Sequence, residues 1–109
     1  MDDLMKAAAV KYIRSIKESQ EYREYAMQLE MLRRHPDLYS QVNEYRSENY
    51  KIQNIENEDM LLERMDELSE KYEKLREIPM VDDFLKAEVS FCRMMQDVNR
   101  FISEELEFN

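Results

Sequence analysis

The absence of glycine is the feature that most constrains this chain of 109 residues. Glycine adopts left-handed backbone conformations without steric cost, and it forms the loops that cradle phosphate groups. P-loops, dinucleotide-binding turns and nucleophile elbows depend on it, so the sequence excludes these sites. Proline occurs only at Pro36 and Pro79, each at the start of an amphipathic segment. The chain is therefore predicted to be almost wholly helical.

Apolar residues that recur at steps of three and four divide the chain into five predicted helices. Polar residues that favour N-caps, such as Ser19 and Asn57, stand at the predicted starts. The predicted helices cover about residues 3–18, 20–34, 36–55, 58–77 and 80–107. A weaker interruption at residues 54–59 leaves two alternatives for the third and fourth helices, a hairpin or one continuous helix.

These segments predict an all-α fold, an antiparallel bundle of four to five helices with a long C-terminal helix. At 109 residues the chain is expected to form a single domain over residues 1–109. Two seams of apolar residues with heptad-like steps run from Leu38 to Ile52 and from Leu61 to Leu75. They are narrow, so the apolar surface they offer to the last helix is limited.

The predicted last helix is too long and too apolar to be covered by its own chain. It would be about 42 Å long, against a diameter of about 34 Å for a compact domain of this size. Its apolar residues span roughly 200° of its circumference, about twice what one-sided packing needs. We therefore predict a homodimer or higher homo-oligomer. Candidate residues for an oligomer or partner surface are Tyr22, Tyr25, Phe91, Met94, Val98, Phe101 and Ile102.

The formal net charge of −9 argues against direct binding to nucleic acids or anionic membranes, because both are themselves negatively charged. The basic residues alternate with acidic ones, and the short basic cluster at residues 33–35 is typical of a helix end. No apolar run approaches the roughly 20 residues that cross a bilayer. A single cysteine, Cys92, fits a reducing compartment. We expect a cytoplasmic protein.

No combination of residues predicts a catalytic residue, a metal site or a cofactor. His35 is the only histidine, so a di-metal site with two Glu-x-x-His elements cannot form, and a solvated N-cap position is expected. Cys92 lies among apolar residues of the last helix, where a thiol usually packs as a small hydrophobic group. The carboxylates of residues 56–77 alternate with lysine and arginine at helical spacings, which favours exposed ion pairs.

Three polar residues are predicted to form a structural cluster. Asn49 occupies the middle of the seam from Leu38 to Ile52, and Glu88 falls within the apolar arc of the last helix. Buried polar groups need partners, and Arg46, one turn before Asn49, can donate to a carboxylate with two parallel hydrogen bonds. We predict that Arg46, Asn49 and Glu88 fix the register of the helices. The alternative is that they bind a ligand.

Four short motifs of this chain resemble the YlbF/YmcA family, the control-of-competence group of small bacterial helical regulators. They are Ser-x-Glu-Tyr at residues 19–22, Pro-Asp-Leu at residues 36–38, Tyr45-Arg46 followed by Gln53, and Phe-Leu-x-Ala-Glu at residues 84–88. The resemblance covers nearly the whole chain. One branch of the family carries a cysteine-bearing tail associated with an iron–sulfur cluster. This chain is similar to the tail-less members, since Cys92 is its only cysteine.

The resemblance implies an all-helical oligomer without enzymatic activity that acts through protein contacts. Members of the family are linked to competence, sporulation and biofilm development, and they form a complex associated with ribonuclease Y. The implied partners are further copies of the chain and a protein of an RNA-processing complex. The alternative is a small chaperone-like bundle that binds apolar client segments in a methionine-lined groove, because the chain contains nine methionines.

Overall fold

The structure is a computed structural model that describes residues 1–107. These residues contain helices and no strand, which confirms the predicted all-α class with a long C-terminal helix. The six helices are α1 (Asp3–Glu18), α2 (Gln20–Arg33), α3 (Pro36–Ile52), α4 (Glu58–Lys71), α5 (Glu73–Glu77) and α6 (Pro79–Glu105).

Most helix starts are set by hydrogen bonds and prolines of the local sequence. Side-chain oxygens accept from first-turn amides in three places: Asp2 from Met5 at 2.7 Å, Ser19 from Tyr22 at 3.2 Å, and Asn57 from Met60 at 3.0 Å. These caps satisfy amides that have no partner within the helix. Pro36 and Pro79 begin α3 and α6, where a missing amide hydrogen costs nothing.

The third and fourth predicted helices form a hairpin, so the alternative of one continuous helix is wrong. α3 ends at Ile52 rather than at residue 55. Carbonyl groups of its last turn accept hydrogen bonds from groups other than the amides four residues later, which would continue the helix. The Asn54 side-chain amide donates to the Tyr50 carbonyl at 3.2 Å, and the Ile55 amide donates to the Ile52 carbonyl at 3.0 Å. α4 then packs back along α3.

The helix predicted over residues 58–77 is interrupted at Tyr72, which separates α4 from α5. The backbone of Tyr72 leaves the helical region, with φ −110° and ψ 16°, while its ring is buried in the core. Arg76 Nη2 donates to the Ser69 carbonyl at 3.0 Å and to the Ser69 hydroxyl at 2.8 Å. In an unbroken helix that carbonyl would accept from the amide of residue 73. The guanidinium therefore compensates for the hydrogen bond that the break removes.

The core lies where α2 to α5 meet the first half of α6. Its buried side chains are Leu32, Val42, Leu68, Tyr72, Leu75, Val81 and Phe84. The most extensive helix–helix contact joins α2 to α6. α1 contributes no buried residue, and within the described part of α6 no residue after Ala87 is buried. α1 and the second half of α6 thus lie outside the core.

α6 is about 40 Å long, at about 1.5 Å per residue. It ends at Glu105 instead of residue 107, because Glu107 adopts a left-handed backbone with φ 53°. That conformation is common directly after the last residues of a helix, where it lets the chain turn away.

Candidate functional site

Arg46 and Glu88 connect α3 to α6. Arg46 Nη2 lies 2.6 Å from Glu88 Oε2, and Arg46 Nη1 donates to Asn43 Oδ1 at 3.2 Å. The guanidinium carbon also lies 5.5 Å from the centre of the Phe84 ring. A planar guanidinium can stack on an aromatic ring while it donates hydrogen bonds in its own plane. One side chain thus links a carboxylate of α6, an amide of α3 and a core aromatic ring.

Asn49 does not join this network through a hydrogen bond to Arg46 or Glu88. It is half-buried, and Asn43 supplies the second acceptor for Arg46. Asn43 precedes Arg46 by three residues, a spacing that places two side chains on the same helix face. Asn43 was not predicted, because it lies outside the apolar seam that singled out Asn49. The spacing of three residues between Asn43 and Arg46 is the sequence signal that identifies Asn43 as a partner of Arg46.

A groove of about 640 Å³ lies between α3 and α6 beside this ion pair; we call it the α3–α6 groove. Its walls combine exposed or half-buried amides with apolar groups and a thiol: Asn49 and Tyr50 from α3, Gln53 directly after α3, and Leu85, Val89 and Cys92 from α6. Tyr50 is 69% exposed. Cys92 is also exposed, so the expectation that its thiol packs as a small hydrophobic group is wrong.

Residues of two of the four motifs that carry the family resemblance line this groove. Arg46 and Gln53 belong to one motif, and Leu85 and Glu88 belong to another that lies more than thirty residues away in sequence. The structure brings both motifs to the same surface. This convergence, together with the exposed Tyr50, makes the α3–α6 groove the candidate surface for a protein partner.

Three of the predicted surface residues pack inside the chain, where they join α2 to α6. The Phe91 ring lies 5.5 Å from the Tyr22 ring and 5.1 Å from the Tyr25 ring, measured between centroids. Tyr25 also contacts Phe84, with 5.9 Å between the centroids. Offset and edge-on aromatic pairs at these distances are favourable contacts. The structure places Tyr22, Tyr25 and Phe91 in contacts that hold two helices of one chain together.

The other four predicted surface residues lie beyond this aromatic cluster, on the part of α6 that extends past the core. We call this part, residues 94–105, the α6 arm. Met94 and Val98 are half-buried, whereas Phe101 is 62% exposed and Ile102 is also exposed. α1 shows the same character, with exposed apolar residues that include Leu4, Met5, Val10, Tyr12 and Ile13.

The overall dimensions reflect these two exposed helical segments. The radius of gyration is 17.3 Å, against about 13 Å for a compact domain of this length. The principal extents are 48 × 38 × 21 Å. A chain of this size that buried all its apolar faces would be closer to a sphere. The elongated shape accompanies the exposed apolar residues of α1 and of the α6 arm.

The charged groups of the α3–α4 hairpin form a second pair between helices. Lys71 Nζ lies 2.9 Å from Glu48 Oε1. The hydrogen bond from the Lys71 ammonium, followed by one from Tyr72, lowers the pKa of Glu48. The Glu48 carboxylate in turn raises the pKa of Lys71. Burial is the main reason that the pKa of Tyr72 is raised. This pair joins the last residue of α4 to the C-terminal part of α3.

His35 is exposed at the N-cap of α3 and makes no capping hydrogen bond through its side chain. Within residues 1–107 no three His, Cys, Asp or Glu residues are grouped so that they could hold a metal ion. None of the helices in this part of the chain is both long enough and apolar enough to cross a membrane.

Comparison with known proteins identifies relatives of the chain. The model of a family described as "Control of competence regulator ComK, YlbF/YmcA" matches residues 6–107. The chain is also similar to a UPF0342 protein of Desulfitobacterium hafniense (strain Y51), with 28% identity over 93 residues. The aligned part makes up 84% of this chain and 75% of that relative. No solved structure matches the chain.

Proposed function

The chain belongs to the YlbF/YmcA family of control-of-competence regulators, and from this premise we propose that it is a non-enzymatic adaptor that acts by binding other proteins. The family match over residues 6–107 confirms the resemblance carried by the four sequence motifs. The family description fits a regulatory role. The adaptor mechanism, the identity of the partners and a single functional domain over residues 1–109 are our proposals.

The convergence of two family motifs on the α3–α6 groove is the observation that carries this proposal. Arg46 and Glu88 hold the two walls of the groove in place through their 2.6 Å contact. The neighbouring wall presents Tyr50 and the amide side chains of Asn49 and Gln53. Tyrosine gives large contact area for little conformational entropy, and amides can hydrogen-bond to a peptide backbone. Such a surface suits a protein partner.

We propose that this partner belongs to a ribonuclease Y-type RNA-processing complex, and that binding alters its activity in competence, sporulation or biofilm programmes. The test is the affinity of the purified chain for purified ribonuclease Y, measured by biolayer interferometry. The double variant Tyr50→Ser, Val89→Ser should bind at least about tenfold more weakly, because both side chains line the groove. Leu62→Ser is the matched control, since Leu62 is a comparably exposed apolar residue on α4.

The outcomes separate two parts of the proposal. If the wild-type chain does not bind ribonuclease Y at micromolar concentrations, the proposed partner is wrong. If it binds, and the groove variant binds as tightly as the Leu62→Ser control, the partner stands and the assigned surface is wrong.

A chaperone-like function is the second candidate, and the exposed methionines favour it. Met27 and Met31 on α2 and Met60 and Met65 on α4 are all exposed. They lie on two different helices, however, and methionine is not among the residues that line the α3–α6 groove. Suppression of the aggregation of several unrelated client proteins at equimolar ratio would support this function. Binding restricted to ribonuclease Y would contradict it.

We also propose that the chain forms a homo-oligomer. The exposed apolar residues of α1 and of the α6 arm support this, as does the radius of gyration of 17.3 Å. Exposed apolar patches of this kind usually mark interfaces. Light scattering should show a species larger than the 13.4 kDa chain at micromolar concentration. A strict monomer that does not bind an apolar dye would contradict self-association.

A further inference from the structure

We propose that α1 of one copy binds the α6 arm of a second copy, and that twofold symmetry repeats the same contact in a homodimer. This inference rests on the proposed self-association and adds which surfaces meet. Three properties of the two helices carry it: their unpartnered apolar faces, their position at the same end of the molecule, and their opposite charge.

α1 and the α6 arm each present an apolar face that is exposed at least in part. At about 100° per residue, Leu4, Met5, Tyr12 and Ile13 fall within one half of the circumference of α1. Leu4 is 85% exposed. On the α6 arm, Met94, Val98, Phe101 and Ile102 occupy a narrower arc of about 100°, in which Phe101 and Ile102 are exposed and Met94 and Val98 are half-buried. Each face is broad enough to pack against one neighbouring helix.

Both helices leave the core at the same place. α1 ends at Glu18, next to the cap of α2, and the α6 arm begins just after Phe91. The contact between Tyr22 and Phe91 joins these two points, with 5.5 Å between the rings. Within the chain, α1 makes a small contact with α2, its neighbour in sequence, and contacts α6 less than that. The arm therefore keeps an open apolar face beside the open face of α1.

This placement favours a second copy as the occupant. A twofold axis near the shared end of the two helices brings α1 of each copy beside the α6 arm of the other. Both open faces are then covered by one repeated contact, as the self-complementary interfaces of symmetric dimers require.

α1 and the α6 arm carry opposite net charges, as the proposed pairing requires. α1 contains four basic and two acidic residues, so it is positive although the chain carries a net charge of −9. The α6 arm contains three acidic residues and one basic residue. Opposite charges at the rim of an apolar contact favour the correct pairing and disfavour contacts of α1 with α1 or of arm with arm.

A pair of charge-reversed chains tests this assignment. The first chain carries Lys6→Glu and Lys11→Glu on α1, and the second carries Glu104→Lys and Glu105→Lys on the α6 arm. All four residues are exposed, and none forms an ion pair within residues 1–107. Circular dichroism on each chain checks that the helices are retained. Dimer dissociation constants are measured by sedimentation equilibrium at low and high salt.

Each variant alone should self-associate at least about tenfold more weakly than wild type at low salt, because like charges then face each other. An equimolar mixture should form a 1:1 heterodimer with affinity close to that of wild type. Phe101→Ser should weaken dimerisation at both salt concentrations. Leu62→Ser on α4, an equally accessible apolar site, should leave it unchanged.

The results distinguish this inference from the proposed self-association. If wild type is a monomer, self-association itself is wrong. If wild type dimerises and the variant with Glu104→Lys and Glu105→Lys dimerises equally well alone, the dimer exists but the α6 arm is not its surface. If wild type remains monomeric and sediments with vesicles of anionic phospholipid, α1 is a membrane-surface helix and the inference is overturned.

Discussion

Arg46 occupies the only point in the described part of the chain where an ion pair links α3 to α6. Its guanidinium contacts Glu88 and Asn43 and lies over the Phe84 ring. The Glu88 side chain is 21% exposed, so it is largely removed from water, whereas Arg46 is 37% exposed. Removing either partner leaves a partly buried charge without its counterpart. Single residues at this junction therefore control how two helices are held together.

A double-mutant cycle measures this contact. Arg46→Met and Glu88→Gln should each lower the free energy of unfolding, with a coupling energy of about 1 kcal/mol, reduced by the partial exposure of Arg46. Urea unfolding of the two single variants and the double variant gives the value. The exposed pair Arg64 and Glu67 is the control, and it should couple by less than about 0.5 kcal/mol. Unchanged stability and oligomeric state in all three variants would show that the pairing has no structural role.

Gln28 is the second residue whose environment predicts a measurable effect. Its side chain is buried, and Nε2 donates to Glu24 Oε1 at 3.1 Å, but Oε1 has no hydrogen-bond partner among the described residues. A buried acceptor without a partner is unfavourable. Gln28→Met, which keeps the length of the side chain, should leave stability unchanged or raise it by up to about 1 kcal/mol in urea unfolding.

The exposed Gln41 on α3 provides the control for Gln28, because Gln41→Met removes an amide that is already solvated. The midpoint urea concentration for unfolding of Gln41→Met should equal that of wild type. A loss of more than about 1 kcal/mol in Gln28→Met would contradict the prediction, since it would mean that the amide makes a favourable contact in solution.

At the scale of the helices, α3 and α4 behave as a hairpin closed by a polar contact. The turn at residues 53–57 reverses the chain, and Glu48 and Lys71 join the two helices near the other end of α4. The break at Tyr72 follows directly, and it lets the ring enter the core while α5 changes direction. The hairpin thus places α3 against α6 and forms one wall of the α3–α6 groove.

The Glu48–Lys71 contact should make the stability of the hairpin depend on pH. The pKa of Glu48 is lowered in the fold below its ordinary value of 4.5. A carboxylate with a lowered pKa stabilises the fold above its unfolded pKa, and this contribution is lost as pH falls through the folded pKa. Wild type should therefore be more stable than Glu48→Gln at about pH 6, and the difference should shrink at about pH 3.

Urea unfolding at these pH values provides the measurement, with Glu44→Gln as the control. Glu44 is exposed on the same helix and forms no ion pair within residues 1–107. The difference between wild type and Glu44→Gln should be smaller at about pH 6 than the difference for Glu48→Gln. A gap between wild type and Glu48→Gln that widens toward acid would contradict the assigned role of Lys71.

The whole molecule is a small core from which two apolar helical segments extend. α1 contributes no buried residue, and in the α6 arm the apolar side chains are exposed or half-buried. A single chain gains little from burying these segments, because it has no surface to bury them against. Its folding should therefore be coupled to self-association, as in obligate dimers.

The melting temperature of the chain should rise with protein concentration. Mass action adds stability to a folded dimer as concentration increases, so a hundredfold rise should raise the melting temperature by roughly 5 °C or more. Differential scanning calorimetry from low to high micromolar concentration measures the shift. Phe101→Ser should show a smaller shift than wild type, because it removes an exposed ring from the α6 arm. A melting temperature that is independent of concentration would contradict coupled folding.

Helix positions and the Arg46–Glu88 contact were accessible from sequence patterns for different reasons. Helix starts at Ser19 and Asn57 depend on hydrogen bonds to amides three residues away, so the local sequence contains all the required information. Arg46 and Glu88 are far apart in the chain, yet each stands out as a polar residue next to or within an apolar stripe. Polar groups that become buried need hydrogen-bond partners, so two polar residues on buried helix faces are expected to pair with each other.

Contacts between distant segments decided the remaining features. The break at Tyr72, the use of Asn43 instead of Asn49, the exposure of Cys92 and the packing of Phe91 against Tyr22 and Tyr25 all depend on how the helices are rotated and spaced. Sequence periodicity gives the apolar arc of each helix but not which neighbour covers which part of it. That choice depends on the balance of packing among all the helices, and only the tertiary structure contains it.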